Sequence, residues 1–166
     1  MEFDKLIEER FSCREFLDKE INDNDINQIL KAANLAPTAK NKQPIKIIVI
    51  RNKDLLEKLK LATPCTFNAK LVFVICNDTN KCWIRSTDSK YHGDIDATIV
   101  ATHMMLEITN LGLGSTFVCA FDSEKLKEVL KLDSNISPTC ILPVGYPKEK
   151  RSHNTRKDIS EIVEFR

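Results

Sequence analysis

The sequence predicts a single domain, residues 1–166, that mixes α-helices with β-strands. Two observations carry this. Apolar runs of strand length at 45–50, 71–76 and 139–144 are separated by segments whose apolar residues recur at helical spacing. A chain of 166 residues can also bury one core without dividing, and it holds no repeat, low-complexity tract or linker.

In chain order, Phe3, Leu6 and Ile7 predict a short opening helix, with Arg10 seven residues after Phe3 and on the same inward face. If 10–16 is extended, Arg10, Ser12 and Arg14 alternate onto one side. Two guanidinium groups and a hydroxyl then converge, and a half-buried arginine cluster calls for an anion, for which phosphate suits the fork geometry. The competing reading pairs Arg10 and Arg14 with Glu8, Glu9 or Glu15 at the surface. Asn22 caps a second helix with an apolar stripe of Ile26, Ile29, Leu30 and Ala33. It ends near Leu35, because Pro37 disfavours a helical Ala36. A polar loop fenced by Pro37 and Pro44 leads into 45–50, a strand buried on both faces.

Leu55, Leu56 and Leu59 mark a third helix, and 71–76 is a second continuous apolar strand. Residues 77–91 are polar and read as a loop or lid holding Trp83, which either anchors that loop or stacks on a ligand. The long helix at 94–111 is apolar nearly all round, so most of its sides must be buried. It is either a central core helix or a helix lending one face to a subunit interface. His103 and Glu107 interrupt it, and it is too short to span a membrane. A third strand is expected at 115–121, a helix capped by Asp122 or Ser123 after it, and a fourth strand at 139–144. Lys148, Lys150, Arg151, Arg156 and Lys157 form a basic run. The last nine residues are too apolar, at 159, 162, 163 and 165, for a solvated end.

The net charge of +1 and pI near 7.6 give no reason to expect nucleic acid or an acidic membrane as partner. The N-terminus carries acids and lacks the apolar stretch of a signal peptide. The six cysteines include no CxxC pair and fall largely in apolar runs, which fits reduced thiols in a cytoplasmic protein. No metal site is expected, since Cys76, Cys82 and His92 match no zinc spacing. The four glycines make neither GxGxxG nor a P-loop.

Several motifs, in order, resemble the nitroreductase family of FMN-dependent oxidoreductases. They are Arg10-x-Ser12-x-Arg14-x-Phe16, then Ala32-Ala33-x-x-Ala36-Pro37-Thr38-x-x-Asn41-x-Gln43-Pro44 before a strand. Next comes the helix from Asp96 running into Leu111-Gly112-Leu113-Gly114. Leu142-Pro143-Val144-Gly145-Tyr146-Pro147 and His153-x-x-Arg156-Lys157-Asp158-Ile159 complete the set. The similarity spans essentially the whole chain. Ile45, Asp158 and Arg14 stand where members often carry an aromatic residue, a proline and a lysine.

The resemblance implies an α+β, three-layer sandwich with a central, mostly antiparallel sheet flanked by helices. It implies a homodimer with FMN at the interface and a C-terminal arm exchanged between subunits. Arg10, Ser12 and Arg14 would reach the phosphate, ribityl chain or pyrimidine edge, and Arg156, with Lys157, would complete the phosphate site. Pro37, Thr38 and Ala39 would approach the isoalloxazine from the other subunit, with Asn41 as a nearby polar contact. Cys119 and Ala120 would offer backbone N–H groups to flavin N5 and O4, so no side chain is assigned acid–base work. NAD(P)H would deliver hydride to N5, and an electron-poor acceptor, nitroaromatic or quinone, would then take the electrons in ping-pong fashion. The alternative is a flavin-binding or sensory module on the same scaffold that does not turn over.

Overall fold

The computed structural model describes residues 1–149, 151 and 155–166. Lys150 and His153, which the sequence reading placed in the basic run and the C-terminal motif, lie outside the described residues. Four strands form one antiparallel sheet in the order β1-β2-β4-β3, with β1 at Ile45–Ile50, β2 at Leu71–Asp78, β3 at Gly114–Ser115 and β4 at Ile136–Gly145. Two helices, α2 (Asp23–Leu35) and α4 (Gly93–Asn110), pack on one face. Two others, α3 (Lys53–Leu59) and α5 (Ser123–Leu130), pack on the opposite face. The expected three-layer α+β sandwich is the observed architecture.

The sheet is the apolar centre because β2 is buried along its whole length. Its residues alternate between the two cores: Leu71, Phe73 and Ile75 meet α2 and α4, while Val72, Val74 and Cys76 face α3 and α5. Strand β2 runs on through Asn77 and Asp78, beyond the apolar run. These polar residues are satisfied there: the Asn77 amide donates to Asp94 and Thr139, and Asn135 donates to Asp78 at 2.8 Å.

Helix caps follow the sequence. Asn22 and Asp122 accept backbone N–H bonds from Asp25 and Lys125. Helix α4 buries Ala97, Val100, Ala101, Met104, Met105 and Ile108, but leaves Ile95 40% exposed. It ends in a Schellman turn: Leu113 N–H bonds Ile108 O, Gly112 N–H bonds Thr109 O, and Gly112 takes φ 74°. That turn feeds the chain directly into β3.

Three expectations need correction. Strand β1 is not buried on both faces: it is an edge strand with Lys46 and Val49 exposed, and Ile50 is its one buried residue. The third strand is only Gly114–Ser115, followed by one isolated bridge between Val118 and Ile141. The chain leaves the ladder between them. The opening helix, α1 (Phe3–Glu9), buries none of its residues, and Phe3 is 62% exposed, so its apolar side does not face this chain's core. Arg10 is its C-cap rather than part of an inward helical stripe.

Candidate functional site

Residues 10–16 are extended along the β3 edge of the sheet. Ser12 pairs with Ser115 in a parallel bridge, and Cys13 N–H donates to Ser115 O at 2.9 Å. Cys13 is buried between exposed Ser12 and Arg14, as the alternation requires, but it breaks after Arg14: Glu15 is exposed and Phe16 is buried. Arg14 bonds locally, to Ser12 O at 3.5 Å.

Two of the three carboxylates of that reading are engaged elsewhere, Glu9 with Lys5 and Glu15 with Arg151. That disfavours the surface-pairing reading of the motif. Burial, and then the positive charge of Arg156, lower the Arg10 guanidinium from the ordinary arginine value. Two cations from distant parts of the chain are thus close enough for one to act on the other, although arginine stays charged at any working pH.

Residues 117–122 leave the sheet on the same side. Val118 N–H bonds Ile141 O, Phe121 N–H bonds Cys119 O, and Asp122 N–H bonds Ala62 O. Thr63 Oγ1 donates to Ala120 O at 2.6 Å and fixes that peptide. Among the described residues, the N–H groups of Cys119 and Ala120 have no protein acceptor, and both residues are exposed. They form an adjacent pair of backbone donors open to the surface. Cys119 is the one exposed cysteine of the six, all of which are free thiols.

Pro37, Thr38, Ala39 and Asn41 lie elsewhere, in the loop that enters β1 on the opposite edge. The loop contains three non-glycine residues in the left-handed region, Lys40 (φ 55°), Asn41 (φ 52°) and Gln43 (φ 48°). Gln43 braces it, its N–H donating to Thr38 Oγ1 and its amide to Asn41 Oδ1, both at 3.0 Å. The side-chain bracing read from Asn41 and Gln43 is therefore present.

The two groups sit on opposite edges of the sheet. Residues 37–43 lead into β1, and Ala39 N–H bonds Asp96 Oδ1 in the first turn of α4, whereas Ser12 and Cys13 meet Ser115 of β3. Strands β2 and β4 lie between, so three strand spacings of about 4.8 Å separate the edges. The structure thus brings Arg10, Ser12 and Arg14 onto the edge that carries Cys119 and Ala120, and Arg10 near Arg156. It does not bring Pro37, Thr38, Ala39 and Asn41 to them.

Sequence reasoning missed Asp96 as a partner of the loop. A helix N-terminus rich in aspartate signals only the macrodipole, and a contact spanning 57 residues has no local signature. Trp83 is half-buried and stacks obliquely on His92, ring centroids 4.6 Å apart, which is the anchoring role.

A family model described as the nitroreductase family matches residues 7–67 and 60–146. A relative from Archaeoglobus fulgidus, named for NADH dehydrogenase and NAD(P)H nitroreductase activity, is 35% identical over 159 residues, spanning 89% of this chain and 86% of the relative. The crystal structure of a nitroreductase family protein from Clostridium difficile 630 superposes with a TM-score of 0.95 at 38% identity, covering 99% of this chain and 98% of that one. An FMN-dependent nitroreductase from Clostridium difficile R20291 gives a TM-score of 0.82 at 28% identity, with 96% of each chain covered.

Proposed function

The chain belongs to the nitroreductase family, and we propose that it is an FMN-dependent oxidoreductase that takes hydride from NAD(P)H and reduces an electron-poor acceptor of nitroaromatic or quinone type. The observation that carries the cofactor assignment is the convergence of Arg10 and Arg156. A partly buried Arg10 with the exposed Arg156 close by suits an anion with several acceptor oxygens, and a flavin phosphate is one. FMN supplies the redox chemistry when bound, accepting hydride from NAD(P)H and returning electrons to the acceptor in alternation.

The protein's own residues bind and orient. Arg10, Ser12, Arg14, Arg156 and Lys157 hold the phosphate, ribityl chain and pyrimidine edge. The Cys119 and Ala120 N–H groups are preorganised donors where negative charge develops on the ring. Because backbone amides carry that role, it does not depend on the Cys119 thiol.

Pro37, Thr38, Ala39 and Asn41 cover the ring from a second copy of the chain. Their place on the β1 edge supports this, with β2 and β4 between it and the β3 edge that carries Ser12 and Arg14, since one chain alone holds two incomplete halves. A homodimer with two interfacial flavins is the arrangement we propose, with the C-terminal arms exchanged. No helix among the described residues is long and apolar enough to cross a membrane, and a cytoplasmic location is part of the proposal.

Arg10→Ala tests the phosphate assignment. Loss of a charge-assisted contact is worth about 1.5–3 kcal/mol, so FMN affinity should fall by more than tenfold while riboflavin affinity changes little. Isothermal titration with both ligands reads this directly. Equal affinity of the wild-type protein for FMN and riboflavin would remove the phosphate from the site.

A further inference from the structure

We infer that Asp96 is a positioning residue: its carboxylate sets where the backbone of residues 37–39 meets the flavin. The inference rests on the flavin reading above and adds to it a residue that touches neither cofactor nor substrate.

The loop at 37–43 is shaped by its own bonds. Asn41 N–H donates to Thr38 O at 2.9 Å, Gln43 N–H to Thr38 Oγ1 at 3.0 Å, and the Gln43 amide to Asn41 Oδ1 at 3.0 Å. With Lys40, Asn41 and Gln43 all left-handed, the loop holds a conformation that persists only where its surroundings over-determine it. Those internal bonds fix its form but not its place. Among the described hydrogen bonds, one ties residues 37–43 to another element: Ala39 N–H to Asp96 Oδ1, at 2.8 Å.

Asp96 is an expensive way to make that bond. It is 1% exposed, and its second oxygen, Oδ2, is buried without a partner among the described residues. A buried carboxylate with one oxygen unmatched is costly, and its place in the first turn of α4 offsets that only in part. The core does not call for the charge, because Ala97, Val100 and Ala101 pack the same helix with apolar side chains. What the position supplies is an acceptor for Ala39 N–H. The strained loop, the single tether and the half-satisfied buried acid meet at one point, and that point governs the segment assigned to the flavin ring.

Asp96→Ala and Asp96→Asn separate this from a purely structural role. Two readouts are needed: FMN titration with the visible flavin band of the full-length holoprotein, and amide hydrogen exchange at Ala39 in the flavin-free protein. Asp96→Ala should weaken FMN by about tenfold or more, shift the flavin band and speed exchange at Ala39. Asp96→Asn keeps a carbonyl acceptor and should restore affinity, band and protection close to wild type. Wild-type FMN affinity and an unchanged band in Asp96→Ala would overturn the inference. So would an Asp96→Asn variant as impaired as Asp96→Ala, since the charge and not the acceptor would then be at work. If the wild-type protein itself fails to bind FMN, the flavin reading fails and the positioning role falls with it. Ala39 exchange in the flavin-free variants then decides only whether the tether exists.

Discussion

Deleting residues 152–166 should leave a chain that sediments as monomer or aggregate and retains no FMN. The reason begins with composition. Ile159, Ile162, Val163 and Phe165 are 72%, 70%, 41% and 95% exposed on the isolated chain. So much apolar surface on a short terminal segment needs something to dry against. The arm is already partly ordered. Residues Ile159–Glu161 form a 3₁₀ turn with a capping box, in which Ser160 N–H donates to Asp158 and Asp158 N–H donates to Glu161. A preformed segment loses less entropy on docking.

A complementary surface exists on each copy. The outer edge of β1 pairs with no strand among the described residues. Beside it, between α2 and β1, lies a groove of about 320 Å³ lined by Leu30, Ala33, Ala36, Thr38, Gln43 and Ile45. An arm from the partner that adds to this edge would satisfy backbone groups and bury side chains together. On the proposed dimer, the deletion removes the grip between subunits and also Arg156 and Lys157. Analytical ultracentrifugation and flavin absorbance of the truncated and full-length proteins check both halves. A flavin-loaded dimer lacking 152–166 would show that the arm does neither job.

Gly114→Ala should cost stability and also strip the cofactor. A Cβ at Gly114 would sit 2.7 Å from Cys13 Cβ and 2.8 Å from its sulfur. Side chains do not tolerate such separations, so one of the two segments must move. Cys13 is held by its N–H bond to Ser115 O, and Ser12 by its bridge to Ser115. Pushing this segment off the β3 edge displaces Arg10, Ser12 and Arg14 together. Overpacking of this kind costs about 1–3 kcal/mol, which lowers the melting temperature, but the loss of FMN affinity should be the larger effect. Gly112→Ala is the control: its Cβ would meet nothing within 4 Å, and only its φ of 74° is penalised. It should lose stability and keep flavin. Melting curves and FMN titrations of the two variants distinguish these outcomes.

What was legible in the sequence had a local cause. Asn22 and Asp122 cap helices through bonds to residues three ahead, so the pattern reveals them. The 71–76 run is apolar because that strand is covered on both faces. The alternation of Arg10, Ser12 and Arg14 against Cys13 followed from the pleat alone. What stayed hidden depends on distant partners. The 115–121 segment has strand-like composition, yet pairs only at Gly114–Ser115 and at Val118. Its neighbours on β4 decide that. Phe3 and Ile7 have helical spacing, but spacing does not say that their face is left open on this chain. Asp96, the tether of the 37–43 loop, looked like one more acid at a helix start. The close approach of Gly114 to Cys13 is likewise invisible until residues a hundred positions apart are placed together.

The most direct test of the central claim is the visible spectrum of the purified full-length protein, taken before and after anaerobic addition of NADH or NADPH and then of a quinone. The protein should be yellow, with about one FMN per chain. The colour should bleach with the nicotinamide and return with the quinone. A colourless protein that takes up no added FMN would contradict the cofactor assignment, and bound flavin that neither nicotinamide bleaches would contradict the proposed oxidoreductase.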